Sequence, residues 1–471
     1  MKKLIHVLPL LILIFISLSL FLPKLGQTPL KSWDEAWYAE IARNILKRNE
    51  WFLLWWNGFP YYDHPPVGFW LIALSFKFFG ISEFTARLPS ALAGIGSVVL
   101  VYLLGKEWFN QTVGFIAGII LATTPWFWLR SRQGNLDIIL TFFILLSIWL
   151  ATKLKENKKN LPLFSAVLAF SFLTKTIIAA GIIPLLIYLI FKKKERFNQK
   201  NFLLSIFVFL VIILPWYFIN WRQYGLQFID RNIFVTGLKL PGYKAIFSGL
   251  RNSFPFFSFK NTFYNLHMGI LLWYKPFLVS LFVSLFFLKN KSFKVLYLWL
   301  LPYLLIFSLS SKTELWHLII IYPVVALLIA AFLQNISKIV PLAPFLILIF
   351  VIWTGGRIVK GLYKDIVKNQ PLNDEVILSR LAGKNEGVVY IDDDYWPTAV
   401  FYSQKNVVHL VHAGLNLPEI FEKSEKPFLV LTKKWILERD HIDSKNYEIL
   451  EKIGERVLIK SPAGLKKQNS N

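Results

Sequence analysis

An acidic pair, Asp34 and Glu35, lies in the polar segment that follows the first apolar run of the chain, residues 4–22. Asp34 falls in the first turn of a predicted helix, where the positive end of the helix dipole favours its ionised form. A carboxylate held ionised at a membrane surface can orient an acceptor hydroxyl and take its proton late in a group transfer. The alternative is that the pair are ordinary first-turn partners of the dipole, and the pattern alone leaves both interpretations open.

Asp63 and His64 end the same polar segment and are followed by Pro65 and Pro66. Proline is accepted in a first helical turn, so the two prolines fix the backbone where the next apolar run begins. Asp63 and His64 are therefore predicted at the membrane boundary, where ionisable groups are costly and tend to be functional. The alternative for His64 is an interfacial histidine with a backbone partner.

The helix that carries the acidic pair is predicted from its own pattern. Ser32 and Glu35 have the spacing of a capping box at a helix start. Trp37, Ile41 and Ile45 recur at four-residue spacing on one face, which is typical of an amphipathic helix lying along the membrane surface.

The composition is that of an integral membrane protein. Of 471 residues, 55% are hydrophobic and 17% are charged, whereas a soluble protein has about a quarter charged residues. Several apolar runs approach the ~20 residues that cross a bilayer, and we predict an all-α polytopic protein with about 11 transmembrane helices. The first run is predicted to be a retained anchor. The net charge of +24 is explained by basic loops rather than by nucleic-acid binding. The absence of cysteine excludes disulfides and thiolate metal sites.

The basic loops predict the orientation of the chain in the membrane. Short Lys/Arg-rich loops face the cytoplasm, and they lie here at 153–160, 191–200 and 289–294. The opposite, extracytoplasmic side then receives segments 24–66, 130–137, 174–176, 220–269 and 310–317. Between residues 66 and 130 the scheme needs an even number of crossings, but three apolar segments occur, at 67–80, 89–105 and 112–129. One of them must be short, re-entrant or wrongly divided, or one loop must be misassigned.

The apolar runs stop near residue 353, and residues 359–471 are predicted to form a separate extracytoplasmic domain after a transmembrane domain of residues 1–358. Short alternating stretches at 387–391, 398–402, 406–410, 427–432 and 456–460 are typical of strands. Helix-compatible segments near 373–382 and 416–424 separate some of them. The pattern predicts a small α/β domain.

Three stretches, DEAWYAEIARNIL (34–46), NGFPYYDHPP (57–66) and FGISEFTARLPSAL (79–92), resemble the opening of the protein-O-mannosyltransferase and aminoarabinose-transferase-like membrane glycosyltransferases. The resemblance implies a GT-C fold of the glycosyltransferase family 39 type, with Asp34 as the catalytic residue. His64 stands where many members have lysine. In the lipid A-modifying branch the preceding acid has been linked to a metal, so the resemblance makes Asp63 the candidate ligand if a divalent metal is used; no other cofactor is expected.

Further positions carry the resemblance along residues 30–330. An Arg and an Asp of the family match Arg132 and Asp137, the latter facing the cavity; a helix N-cap is the alternative for Asp137. Lys175 lies within nearly continuous apolar sequence, where snorkelling to the interface is the alternative. The predicted site comprises catalytic Asp34 and Glu35, the donor phosphate-binding residues His64, Arg132, Lys175, Lys275 and Lys312, and the supporting residues Asp63, Asp137, His267 and His317.

We therefore expect an inverting glycosyltransferase that uses a polyprenyl-phosphate sugar as donor. Its acceptor would be a protein, a lipid or a glycan, and its active site would face outward from the plasma (inner) membrane. A polytopic lipid or sugar transporter or flippase shares the spans and cations, but the sequence shows no paired repeats with broken helices. A lipid-binding protein that has lost catalysis is the third hypothesis.

Overall fold

The structure, a computed structural model, describes residues 2–154, 156–191, 198–232, 259–309, 314–337, 343–364 and 373–462. The apolar part consists of helices α1 (Lys2–Phe21), α2 (Asp34–Arg48), α3 (Val67–Phe79), α4 (Glu83–Trp108), α5 (Gln111–Thr123), α6 (Pro125–Ser131), α7 (Asp137–Lys153), α8 (Leu161–Lys175), α9 (Ile183–Phe191), α10 (Gln199–Ile229), α11 (Phe259–Ile270), α12 (Tyr274–Leu285), α13 (Lys291–Leu309), α14 (Tyr322–Ser337) and α15 (Ala343–Tyr363). A short hairpin, β1 (Leu54–Trp56) with β2 (Phe59–Tyr61), lies between α2 and α3. Turns of 3₁₀ helix at Thr176–Ile182 and Leu315–Ile321 precede α9 and α14.

The helices confirm an all-α polytopic membrane protein. Within the described residues, five helices are long and apolar enough to cross a bilayer, or six if the bent pair α5 and α6 counts as one span. Shorter apolar helices lie beside them at Val7–Phe21, Val67–Phe79, Leu161–Lys175 and Ile178–Ile190. The total of about 11 spans stays a prediction.

The three apolar segments between residues 66 and 130 differ in kind. Helix α3 has 13 residues, which is fewer than the ~20 that a bilayer core requires. Helix α4 has 26 residues, and α5 continues into α6 across a bend of 69° at Pro125. Helix α5 alone has 13 residues, like α3, and the bent pair has the form of a broken span or of a re-entrant loop. The even number of crossings that the basic loops demand therefore stays a prediction.

Glycines bring α4 and α5 into close contact. A Cβ on Gly105 would lie 2.6 Å from the Cα of Gly114, and a Cβ on Gly114 would lie 2.3 Å from the carbonyl oxygen of Tyr102. Small residues at a helix crossing let backbones approach within the membrane, where dispersion contacts replace the hydrophobic effect as the driving force. The crossing anchors the apolar core that α5 shares with α4, α7 and α14.

Three predicted boundaries, at residues 220, 269 and 358, fall inside helices. The segment 220–269 is predicted to be a large outer loop, the second one after 24–66. In the structure, α10 continues to Ile229 with a kink at Gly225 (φ 58°, ψ −140°), and α11 begins at Phe259. Residues 233–258 lie outside the described residues. The last apolar helix, α15, ends at Tyr363, beyond the predicted domain boundary at 358.

The C-terminal part is the predicted small α/β unit. Its helices are α16 (Asp374–Lys384), α17 (Trp396–Ser403), α18 (Leu410–Ala413), α19 (Leu417–Lys423) and α20 (Lys434–Arg439), and its strands are β3 (Val388–Ile391), β4 (Val407–His409), β5 (Phe428–Lys433), β6 (Glu448–Ile453) and β7 (Arg456–Lys460). The sheet order is β4-β3-β5-β7-β6, parallel from β4 to β5 and antiparallel from β5 to β6. The strand predicted at 398–402 is wrong. That segment is helix α17, which starts with Pro397 in its first turn and buries its residues from 397 to 403.

The sheet unit packs on the segment that precedes and contains α2. Apolar side chains of α2, β1 and α3 share one core with α16, β3 and α17. The side chain of Asn57 pairs with the backbone of Val407 in both directions, donating to its carbonyl at 2.8 Å and accepting from its N–H at 2.7 Å. The N–H of Leu30 donates to the hydroxyl of Tyr402 at 2.8 Å. The placement of α2 therefore depends on both ends of the chain.

Candidate active site

Helix α2 begins at Asp34 without the predicted capping box. Trp33 is the N-cap residue, and it makes no side-chain cap hydrogen bond. Ser32 Oγ is buried without a hydrogen-bond partner in the described part of the chain. The prediction is wrong because the carboxylate of Glu35 is drawn to other donors. Trp33 has φ 69° and ψ −120°, a combination that costs about 1–3 kcal/mol for a residue other than glycine.

Glu35 is enclosed by donors. Arg87 of α4 donates to both of its carboxylate oxygens, at 2.7 and 3.0 Å. The N–H groups of Lys31 and Gly134 add bonds of 3.0 and 2.9 Å. Burial alone would raise the pKa of Glu35, but the charge and hydrogen bonds of Arg87 outweigh it and lower that pKa. Glu35 therefore fastens the start of α2 to α4 and to the loop before α7.

Asp34 belongs to a cluster of four charges that we call the charged cluster: Asp34, Arg130, Asp137 and Lys175. Arg130 Nη2 donates to Asp34 Oδ2 at 2.6 Å and to Asp137 Oδ2 at 3.0 Å. Lys175 Nζ donates to Asp137 Oδ1 at 2.5 Å. The side chains of Arg130, Asp137 and Lys175 are 7–8% exposed, whereas that of Asp34 is 33% exposed. Asp34 is thus the most exposed member of the cluster.

Four helix ends bring the charged cluster together. Asp34 opens α2, Arg130 lies in the last turn of α6, Asp137 opens α7 and Lys175 ends α8. The side chain of Asn135 fixes the turn between α6 and α7, since its amide donates to the carbonyl of Arg130 and its oxygen accepts from the N–H of Ile138. The bend before α6 then returns Arg130 toward α2.

His317 and Trp316 border the same cluster. Asp137, Lys175 and His317, with Leu140, Ile178 and Ile320, line a cavity of about 10 Å³, which is roughly the space that one water molecule occupies. The indole of Trp316 lies 5.8 Å from the guanidinium carbon of Arg130, within cation–π range. The 3₁₀ turn that carries Trp316 and His317 therefore borders the charged cluster.

The sequence prediction places Arg132 in the site, but its guanidinium donates to the carbonyls of Leu20, Phe21 and Pro23. Arg132 therefore holds the end of α1, and Arg130 is the arginine beside Asp34. Both side-chain alternatives considered for the buried pair are also wrong. Lys175 does not snorkel, because it is buried against Asp137, and the N-cap residue of α7 is Leu136 rather than Asp137.

Asp63 and His64 lie near the charged cluster but outside it. Arg231 donates to both oxygens of Asp63, at 2.7 and 3.0 Å, which ties this loop to the end of α10. The ring of His64 lies edge-on to Tyr38, with centroids 6.3 Å apart. Of the remaining predicted residues, His267 and Lys275 are exposed on α11 and α12, and Lys312 lies outside the described residues.

Asp63 does not fit the metal role that the resemblance suggested. Both of its oxygens accept from Arg231, and a guanidinium competes with a cation for them. Among the residues that the structure describes, no group of three or more His, Asp or Glu side chains could hold a metal ion.

Arg130 is the functional candidate that sequence reasoning missed. It precedes Asp137 by seven residues, a spacing that would place both on one face of a continuous helix. The helix breaks between them, so only the turn at Asn135 brings the two side chains together.

Comparison with known proteins gives consistent matches. Residues 63–219 match the family model of dolichyl-phosphate-mannose-protein mannosyltransferases. A putative mannosyltransferase, YkcB of Bacillus subtilis, is 41% identical over 137 residues, which cover 28% of this chain and 19% of that protein. The undecaprenyl phosphate-alpha-4-amino-4-deoxy-L-arabinose arabinosyl transferase of Pseudomonas paraeruginosa is 29% identical over 193 residues, 39% of this chain and 35% of that one.

A solved structure matches almost the whole chain. ArnT from Cupriavidus metallidurans, bound to undecaprenyl phosphate, superposes with a TM-score of 0.74 over 97% of this chain and 98% of that one. The two sequences are 16% identical, so this similarity establishes the fold, including the C-terminal unit.

Proposed function

We propose that the chain is a GT-C membrane glycosyltransferase, which transfers a sugar from a polyprenyl-phosphate carrier to an acceptor hydroxyl with Asp34 as the catalytic carboxylate. The chemistry of the donor is supported by the relatives, whose names specify undecaprenyl phosphate or mannosyl transfer. The observation that carries the proposal is the charged cluster, in which the accessible Asp34 lies 2.6 Å from Arg130.

The reaction that we propose is a single displacement. The acceptor oxygen attacks the anomeric carbon from the face opposite the phosphate, and the bond between that carbon and the phosphate oxygen breaks. The electron pair of this bond leaves with the polyprenyl phosphate, and the proton of the acceptor hydroxyl passes to Asp34. The configuration at the anomeric carbon is inverted, and no covalent enzyme intermediate forms.

The buried cations stabilise the leaving phosphate. Arg130 donates through Nη2 to both carboxylates, while its Nε is buried without a hydrogen-bond partner in the described residues. Preorganised donors aimed at developing charge are commonly the largest electrostatic contribution to catalysis. In this proposal Arg130, which shares Asp137 with Lys175, takes the role that the sequence predicted for Arg132. His317 lines the small cavity next to Asp137 and Lys175. His64, Lys275 and Lys312 remain predicted phosphate contacts.

Glu35 has a supporting role in the proposal. Its four donors, from Arg87, Lys31 and Gly134, occupy the carboxylate. It therefore positions the backbone of Asp34 and takes no proton itself. Asp137 likewise holds Arg130 and Lys175 in place.

The test uses the full chain in lipid nanodiscs with radiolabelled undecaprenyl-phosphate sugars and an envelope extract as acceptor pool. We expect Asp34→Asn to lower transfer by about 10²-fold or more, the contribution of a positioned proton acceptor, while undecaprenyl phosphate still binds in native mass spectrometry. Asp394→Asn is the matched control, since Asp394 is exposed in the C-terminal unit. Wild-type transfer by Asp34→Asn contradicts the catalytic assignment. In closed proteoliposomes of the same protein, movement of the donor across the bilayer without transfer supports a flippase instead.

The extracytoplasmic location of the site can be tested separately because the chain has no cysteine. Lys47 on α2 and Lys159 in a basic loop are both exposed. We expect a membrane-impermeant maleimide added to intact cells to label Lys47→Cys and to leave Lys159→Cys unlabelled. The reverse pattern contradicts the proposed orientation.

A further inference from the structure

A row of indole rings leads away from Asp34 toward the C-terminal unit; we call it the aromatic row and define it as Trp33, Trp37, Trp56 and Trp396. Successive ring centroids are 6.0, 4.3 and 4.6 Å apart. The indole N–H groups of Trp37 and Trp56 are buried and have no hydrogen-bond partner within the described residues. The rings of Trp37 and Trp56 are therefore held by ring contacts and not by polar interactions of their N–H groups, whereas the indole N–H of Trp396 donates to the carbonyl of Val407 at 2.9 Å.

Trp33, at the end of the aromatic row, is exposed and strained. Its side chain directly precedes Asp34, and 47% of the residue is exposed. Its φ of 69° and ψ of −120° are those of the first central position of a type II′ turn, which glycine dominates. Selection for stability alone would favour glycine here. The chain instead keeps the largest side chain at a backbone position that disfavours every side chain, which points to a use for the indole.

The aromatic row and the cations approach Asp34 from different elements. Arg130, Asp137 and Lys175 belong to α6, α7 and α8, whereas the row is built from the start of α2, from β1 and from α17. Asp34 joins the two sets, since its carboxylate is bonded to Arg130 and its backbone continues from Trp33. If the cations hold the donor phosphate, the space beside Trp33 stays available for the second substrate, the acceptor.

We propose, building on the proposed function, that Trp33 forms the acceptor-binding surface and that the acceptor presents a sugar ring. One face of a pyranose carries C–H groups, which pack on the electron-rich face of an indole. An indole offers a large, rigid contact area at low conformational cost. A ring stacked on Trp33 directs its equatorial hydroxyl groups outward from its edge, where the neighbouring Asp34 accepts the proton of one of them. A serine or threonine hydroxyl presents no such face.

Interfacial anchoring is the competing explanation, because tryptophan is enriched at the level of lipid headgroups. An anchor does not require a left-handed backbone. Trp221 provides the matched comparison, since it is 51% exposed and lies in the helical part of α10 that precedes the kink at Gly225.

The test measures two products of one reaction with the full chain in nanodiscs. The donor is labelled undecaprenyl-phosphate mannose or undecaprenyl-phosphate 4-amino-4-deoxy-L-arabinose, and the acceptor pool is an envelope extract that contains glycolipids, glycans and proteins. Transfer to water gives free sugar, and transfer to the acceptor gives labelled saccharide. We expect Trp33→Leu to raise the acceptor concentration needed for half-maximal transfer about tenfold, equivalent to about 1.4 kcal/mol, while release of free sugar stays within about twofold. Trp33→Phe should restore most of the acceptor affinity, and Trp221→Leu should leave both products at the wild-type level.

Trp33→Gly separates binding from folding. It removes both the ring and the backbone strain, so it should lose acceptor affinity as Trp33→Leu does while melting at a higher temperature than wild type. Equal loss of both products in Trp33→Leu, or a Trp221→Leu variant that behaves in the same way, overturns the proposal. Label that appears on protein hydroxyl groups instead of saccharide also overturns it. Absence of both products in the wild type refutes the proposed function itself, and the acceptor proposal with it.

Discussion

Removal of the Asp137 carboxylate should destabilise the protein chiefly through the lysine that it leaves behind. Lys175 is 5% exposed and donates to Asp137 at 2.5 Å. In Asp137→Asn the buried ammonium loses its counter-charge, and breaking a buried pair in this way costs about 3–5 kcal/mol. In Lys175→Met the carboxylate keeps Arg130 at 3.0 Å. The loss is then nearer that of one charge-assisted hydrogen bond, about 1.5–3 kcal/mol.

The double variant tests this asymmetry. Asp137→Asn with Lys175→Met removes both members of the pair, and Arg130 retains Asp34. We expect the double variant to be more stable than Asp137→Asn alone, with a coupling energy of up to about 3 kcal/mol. Unfolding of the four proteins in one detergent, followed by heat or by denaturant, measures the cycle. Sugar transfer should stay low in the double variant, because no cation replaces Lys175.

An exposed pair on the same helix serves as the control. Lys153 of α7 donates to Glu107 of α4 at 3.0 Å, with side chains 24% and 39% exposed. The corresponding substitutions, Glu107→Gln and Lys153→Met, should each cost less than about 1 kcal/mol and show little coupling. Strictly additive costs at Asp137 and Lys175, or equal stability of the two single variants, would refute the argument from burial.

Three further predictions concern the support of α2. Arg87→Met leaves the buried Glu35 carboxylate without its counter-charge, so we expect a loss of about 3–5 kcal/mol, seen as less folded protein in purified membranes, and Arg87→Met combined with Glu35→Leu should recover part of it. Burial raises the pKa of Glu40 from its ordinary 4.5 to about 7. The folded state therefore binds more protons than the unfolded state between these values, and stability should fall by about 3 kcal/mol as the pH rises from 4.5 to 7; Glu40→Gln should flatten this dependence in melting curves. Asn57→Ala removes both bonds to β4, at a cost of about 1–3 kcal/mol, and should speed hydrogen exchange of β4 without changing that of α4.

Sequence reasoning was most successful where a pattern repeats locally. The amphipathic α2, the apolar helices and four of the five C-terminal strand regions follow from periodicity. The segment 398–402 failed because α17 is buried on every side, so that its apolar residues carry no helical period. Strand β6 was missed for the opposite reason, since its burial pattern is exposed or intermediate throughout.

The candidate site was only partly predictable, because its contacts join residues that are far apart in the chain. Asp34, Asp137 and Lys175 were selected individually. Arg130 lies 96 residues from Asp34 and 7 from Asp137 in the chain, and neither separation by itself predicts that it bonds to both carboxylates. The choice of Arg132 over Arg130 depended on the geometry of one turn. That turn is fixed by the hydrogen bonds of the Asn135 side chain to the backbone of Arg130 and Ile138, and such bonds cannot be deduced from the sequence alone.

The reciprocal pairing of Asn57 with Val407 has a consequence for chimeras between relatives. If only the C-terminal unit were exchanged, the hairpin and α2 would pack against β4 and α17 of another protein. The position of α2, and of Asp34 at its start, would then be expected to change. A chimera should therefore exchange two separate segments together, residues 30–61 and residues 374–460. Any specificity carried by these two segments should accordingly be inherited together, whichever set of transmembrane helices receives them.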